Sequence, residues 1–195
     1  MNNSFFAMMS RMKYIDRWAL MRNSRTENIS EHSLEVAMLA HCLAVLGNKR
    51  YGKELLEERI ALLAMYHDST EIITGDMPTP IKYYNKEIKT AFKDVERTAA
   101  RHLLSMLPED LQEAYDPVFV KQPEDAYLWK LVKGADKLSA LIKCIEERKA
   151  GNSEFLSAER TLRQSLQEME LEEVEGFMQD FLPAYEQTLD DLNIK

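Results

Sequence analysis

The chain has 195 residues, with 25 Lys and Arg against 33 Asp and Glu, for a formal net charge of −8. Residues 1–150 hold 22 basic and 22 acidic side chains, so the 3 basic and 11 acidic residues after position 150 supply the whole excess. This balance excludes a surface that binds polyanions by bulk charge, but not a small anion held by a metal or one well-placed Arg.

The length fits one domain that buries roughly 70% of the surface its unfolded form exposes. A hydrophobic content of 45% with 30% charged residues is ordinary for a globular protein and disfavours disorder. The longest near-apolar stretch, residues 36–46, is interrupted by His41 and is too short to span a bilayer. The N-terminus lacks a signal-peptide apolar run with a small-residue cleavage site, so no membrane contact is expected. Cys42 and Cys144 lie inside apolar helical patterns and read as buried thiols in a reducing cytoplasm.

The elements read as helical from end to end. Gly and Pro number six each, strong helix formers dominate, and no alternating run reads as a strand. Residues 4–15 form a first amphipathic helix, and 18–29 are irregular and polar. Ser30 is placed to cap a helix running to Leu46, closed by Gly47 and Asn48. Residues 54–66 form a central helix, nearly all apolar after Arg59. Asp68 and Glu71 have capping-box spacing, which points to a break there. Residues 76–80 are a loop, with Thr79 and Pro80 opening a helix to about Met106. A short helix follows Pro108, and a long one covers 124–150 and stops at Gly151. Two acidic helices, 154–168 and 171–192, end the chain, making about eight. The expected organisation is one domain over 1–195. Its core spans about 28–150, preceded by an N-terminal segment 1–27 and followed by acidic C-terminal helices over 151–195.

Three separated clusters carry residues suited to metal chemistry. His67-Asp68 ends an apolar helix, where an imidazole and a carboxylate need partners because unpaired burial is costly. His32 opens the preceding helix, and Asp136 sits in the middle of an apolar helical pattern, a poor place for a lone Asp. Facing helices in bundles build internal metal sites from such residues. His41 lies nine residues beyond His32, roughly half a turn out of phase, and cannot face the same ion on a continuous helix. His102 lies between charged helix positions, with Arg97 and Arg101, and reads as solvated. From the residues alone, His67-Asp68 also fits a core histidine followed by a helix cap. Arg17 also fits a surface loop, Trp18 fits packing on the next helix, and Asp76 fits a turn.

This H…HD…D arrangement resembles the HD-domain metal-dependent phosphohydrolases. Three longer segments are similar to the bacterial YfbR-type 5′-deoxynucleotidases. They are IDRWALMRNSRTENISEH at 15–32, AMYHDSTEIITGDMPTP at 64–80 and KGADKL at 133–138. The likeness extends to AGNSEF at 150–155. Departures are slight: Met77 stands where Leu is usual, and Lys137 is in a variable position.

The resemblance implies an all-α HD-domain bundle with its metal site between central helices. It implies hydrolysis of deoxyribonucleoside 5′-monophosphates to deoxynucleosides and phosphate by a cytoplasmic homodimer, with no nucleic-acid polymer as partner. Carried over by position, His32, His67, Asp68 and Asp136 would hold one divalent cation, Co, Mn or a similar transition metal. Asp68 and Asp136 would also face substrate. Arg17 would orient the phosphate, and Glu71 would be the acid/base residue. Trp18, Asp76, Met77, Pro78 and Thr79 would line the nucleotide pocket. Chemistry agrees with these roles: an Arg fork bonds two phosphate oxygens at once, and Glu71 lies four residues after His67. The competing readings are an HD-type phosphohydrolase of cyclic nucleotides or nucleoside polyphosphates, a non-catalytic nucleotide-binding module, and a helical interaction protein using its acidic end.

Overall fold

The computed structural model describes residues 3–82 and 84–192, apart from the side chain of Thr79. In chain order the helices are α1 (Phe5–Met9), α2 (Ile29–Arg50), α3 (Glu57–Tyr66), the single turns α4 (Glu71–Thr74) and α5 (Thr79–Lys82), α6 (Lys86–Leu104), α7 (Glu109–Phe119), α8 (Ala126–Lys149), α9 (Leu156–Gln167) and α10 (Glu172–Asp180). Eight of these helices have five or more residues, and the described residues include no strand beyond one isolated bridge, Asp16 to Asn28.

The start of α2 differs from the expected one. Asn28, not Ser30, is the cap: its backbone is extended and its side chain accepts from the Glu31 amide at 3.1 Å. The earlier start brings Ile29 and His32 into the interior, both fully buried. The far end also differs. Gly47 stays helical and α2 runs on to Arg50. A side chain at Gly47 would meet Leu55 at 2.8 Å and Glu173 at 3.0 Å, so this glycine serves close packing rather than a helix stop. Asn48 spends its amide on the connection to α3, bonding both backbone groups of Leu55.

Other boundaries moved for local reasons. Residues 4–15 divide into α1 and a 3-10 turn, Ser10–Tyr14. The 54–66 helix begins at Glu57. The helix expected from Thr79 to Met106 splits into α5 and α6, because Asn85 caps α6 by accepting from the Ile88 amide at 2.8 Å. The last helix stops at Asp180 and gives way to a 3-10 turn, Leu182–Glu186, with Pro183 near its start. No Asp68–Glu71 capping box forms: the Glu71 amide bonds the Asp68 backbone oxygen at 2.9 Å, and α4 has no side-chain cap. Gly151 does end α8, with φ at +85°. Cys144 is buried, whereas Cys42 is only half-buried, and both are free thiols.

The main core joins α2, α3 and α8, with Leu43, Ile60, Leu63, Leu131, Leu138 and Ile145 all buried. The C-terminal segment also contributes Leu166, Val174 and Phe177. By length and composition α2 would pass for a membrane span, but 56% of its most apolar window is buried in the protein, as a core helix requires. A smaller cluster packs Phe5 of α1 against Leu103, Leu104 and Leu107.

The polar loop between the first turn and α2 is tied down at both ends. At its base, the Arg17 amide bonds the Glu27 carbonyl at 2.8 Å, beside the Asp16–Asn28 bridge. At its tip, buried Glu147 of α8 accepts from the Ser24 amide at 2.8 Å and from the Asn152 side chain at 2.8 Å, and pairs with Lys143. Lys143 also donates to the Arg25 carbonyl at 2.6 Å. Burial alone would raise the Glu147 carboxyl, but the Lys143, Asn152 and Ser24 hydrogen bonds outweigh it and hold it at about 2.

A folded value below the unfolded one contributes stability that is complete above the ordinary carboxylate range and lost as pH falls toward 2. Glu147→Ala leaves Lys143 buried without its partner and is expected to cost about 3–5 kcal/mol at pH 7. Urea unfolding at pH 7 and pH 3 checks this: the gap between variant and parent should narrow at pH 3. An equal gap at both would remove the ion pair as its cause.

Candidate metal centre

Three helices bring four side chains to one point. His32 lies in the first turn of α2, His67 caps the C-terminal end of α3, Asp68 follows it in the turn before α4, and Asp136 sits in mid α8. One ligand atom from each lies within 4.8 Å of all the others. His32 Nε2 is 3.2 Å from Asp136 Oδ1 and 3.5 Å from Asp68 Oδ2, and His67 Nε2 is 3.1 Å from Asp68 Oδ2.

The donor set fits a divalent cation. His67 Nδ1 lies 2.7 Å from the Ala64 carbonyl, which can only accept, so Nδ1 carries the hydrogen and Nε2 presents a lone pair. Among the described residues, Nε2 of His32 and of His67 are both buried without a hydrogen-bond partner, and both face the carboxylates. Two imidazole nitrogens and two carboxylate oxygens suit borderline-to-hard ions. An octahedral ion would keep about two positions for other ligands.

The charges are mutually adjusted. With no cation present, burial opposes ionisation of Asp68, but the adjacent imidazoles of His67 and His32 hold its carboxyl well below the usual range. Asp136 is lowered in the same way, against burial, chiefly by His32. Burial and the Arg17 charge both disfavour a proton on His32, yet the Asp136 and Asp68 carboxylates facing Nε2 raise it to about 9 when no cation is present. A positive charge between the carboxylates is what the geometry demands.

Around this point stand the other residues singled out in the sequence. Arg17 is largely buried, with Nη1 3.4 Å from Asp68 Oδ2 and Nε 3.1 Å from Glu27 Oε2. Burial opposes its charge, and Asp136 and Asp68 reinforce it. Trp18 has left-handed backbone, φ +59°, donates Nε1–H to the same Glu27 oxygen at 3.1 Å, and packs its ring 5.3 Å from Phe155. Glu71 is buried, and its Oε2 has no partner among the described residues. Burial, then the negative charges of Asp68 and Asp76, push its carboxyl up to about 9 against the pull of Lys82 and Arg17. Asp76, Met77 and Pro78 are half-buried in the loop after α4, and the side chain of Thr79 lies outside the described set. His41 and His102 are exposed and away from the cluster, and Arg22 and Arg25 are exposed.

Sequence reasoning missed four neighbours. Glu27 holds both Arg17 and Trp18, and the only available signal was a hairpin-like register placing 17 opposite 27. Lys82, paired to Glu96 at 2.9 Å, sends its field to Glu71 and Asp68. Glu35 and Ser139 lie three residues after His32 and Asp136, one helical turn along the same faces.

A family model described as 5′-deoxynucleotidase YfbR-like matches residues 4–185. The chain belongs to this family. A family relative in Vibrio cholerae, named 5′-deoxynucleotidase, is 50% identical over 189 residues, covering 97% of each chain. The 5′-deoxynucleotidase YfbR of Escherichia coli is 48% identical over 189 residues, covering 97% of this chain and 95% of that one. Among solved structures, an HD-domain phosphohydrolase from Listeria innocua has a TM-score of 0.80 at 23% identity, over 93% of this chain and 88% of that one. The cyanophage S-2L HD phosphohydrolase bound to dA and one catalytic Zn2+ has a TM-score of 0.63 at 22% identity, over 93% and 96%. The YfbR-like chain therefore has the all-α HD-domain fold.

Asp136→Ala removes one of four converging donors. Binding of an added divalent ion, followed by calorimetry, is expected to weaken by more than about 100-fold, since changes behind the ligands alone cost roughly 10–100-fold. Unchanged affinity would exclude Asp136 from the centre.

Proposed function

We propose that the protein is a metal-dependent phosphomonoesterase that converts deoxyribonucleoside 5′-monophosphates to deoxynucleosides and phosphate. The observation that carries this reading is the convergence of His32, His67, Asp68 and Asp136 beside buried Arg17 and unpartnered Glu71. The names of relatives about half identical over nearly the whole chain support it.

His32, His67, Asp68 and Asp136 would hold one divalent cation, Co, Mn or a similar transition metal. When bound, such an ion lowers the pKa of a water and neutralises phosphate charge. Arg17 would offer its terminal guanidinium nitrogens, Nη1 of which also contacts Asp68, to the phosphate, while Glu27 fixes Nε and so the direction of the fork. Glu71, held neutral at pH 7 without a cation by burial and by Asp68 and Asp76, is suited to give a proton to the leaving 5′-oxygen. Trp18 would press on the sugar at the 2′ carbon, where a hydroxyl would clash. Asp76 would accept from the 3′-hydroxyl, and Met77, Pro78 and Thr79 would line the pocket. Asp68 and Asp136 would border the substrate as well as the cation.

Phosphate release from a panel of deoxy- and ribonucleoside monophosphates, with and without chelator, tests the whole reading. Deoxy forms should be hydrolysed, ribose forms much less, and chelator should stop both. Glu71→Ala should still bind nucleotide but turn over more slowly by about 10²–10⁴-fold, the range of a lost acid/base group. Preference for cyclic nucleotides or nucleoside polyphosphates would overturn the substrate assignment.

The same reading makes the protein a cytoplasmic homodimer, in keeping with the free thiols Cys42 and Cys144. Light scattering should give about twice the 22.7 kDa chain mass, and a monomer mass would refute the dimer.

A further inference from the structure

The two histidines of the cluster are oriented by different devices. His67 donates Nδ1–H to a backbone carbonyl, an acceptor that can never donate. His32 Nδ1 instead faces a hydroxyl, Ser139 Oγ, at 3.0 Å, in a fully buried pair. A hydroxyl is ambivalent. If it donates to Nδ1, the neutral ring carries its hydrogen on Nε2 and has no lone pair to offer between Asp68 and Asp136. If it accepts from Nδ1, Nε2 is free to ligate.

The neighbour of Ser139 decides between these. Its hydroxyl lies 2.5 Å from Glu35 Oε2, the length of an O–H···O bond to a carboxylate. A serine hydroxyl has one hydrogen. Directed to Glu35, it leaves only a lone pair facing His32, so Nδ1 must donate. Glu35 and Ser139 each stand one helical turn after a cluster residue, His32 on α2 and Asp136 on α8. The relay and two of the four donors therefore sit on the same two facing helices.

We infer that Glu35 and Ser139 are positioning residues that hold His32 in its metal-binding tautomer, Glu35 acting only through the Ser139 hydroxyl. The chain of contacts is Glu35 Oε2, Ser139 Oγ–H, His32 Nδ1–H, with Nε2 left for the cation. It depends on the proposed cation at His32 and is independent of the substrate.

The test is Zn2+ affinity, read by chelator competition, in the full chain and in Ser139→Ala, Glu35→Ala and the double variant. Ser139→Ala is expected to bind Zn2+ about 10–100-fold more weakly, the usual loss when a partner behind a metal ligand is removed. Glu35→Ala should also lose affinity. The double variant should be no weaker than Ser139→Ala alone, because the two act in series. Parental affinity in Ser139→Ala, or losses that multiply in the double variant, would overturn the inference. Absence of Zn2+ binding by the parent chain would instead overturn the metal centre itself, and the relay with it. A second measurement needs no substitution: in the Zn2+-loaded parent chain, the His32 Nδ1–H proton should appear in nitrogen-correlated NMR and exchange slowly with water. Zn2+ bound through Nδ1, or a freely exchanging proton there, contradicts the relay.

Discussion

One oxygen of Asp68 and one of Asp136 are held within 4.8 Å of each other, both half-buried, and the rest of the site follows from that constraint. Two like charges at about 5 Å repel by roughly 3 kcal/mol at an effective dielectric near 20, so the pair persists only with positive charge beside it. Arg17 supplies some of it from the loop side. A proton on His32, or a cation held by His32 and His67 in its place, supplies the rest. The long helices α2 and α8 keep this arrangement from relaxing, because buried core residues such as Val36, Ala135 and Leu138 flank the donors.

The same carboxylates divide the acidic groups into two kinds. Asp68 and Asp136 are kept ionised by the histidines, while Glu71, buried nearby and facing the negative charges of Asp68 and Asp76, is kept neutral. Environments that drive neighbouring carboxyls apart in this way are how a single site provides both ligands and a proton donor. Arg17 and Trp18 are coupled to this centre through Glu27, one carboxylate oxygen serving both. Glu147, at the other end of the loop, fastens that loop to the helix carrying Asp136.

The helical character, the central position of the 54–66 segment and the gathering of His32, His67, Asp68 and Asp136 were legible, because ligand-type residues interrupt otherwise apolar helical patterns. Helix ends were less so. Asn28 outcompeted Ser30 as a cap, and Asn85 cut a helix in two, since either residue type can cap and only the fold decides which backbone is extended. Gly47 read as a helix stop although packing against Leu55 and Glu173 is what requires it. Glu27, Glu35 and Ser139 were invisible for a different reason: each is an unremarkable polar residue until another element is brought against it.

The central claim is that these four side chains form one cation site. Anomalous diffraction from crystals soaked in Co2+ tests it most directly. The expected result is one strong peak at about 2.0–2.2 Å from His32 Nε2, His67 Nε2 and one oxygen each of Asp68 and Asp136. A peak elsewhere, or one that leaves His32 or Asp136 beyond bonding distance, would contradict it.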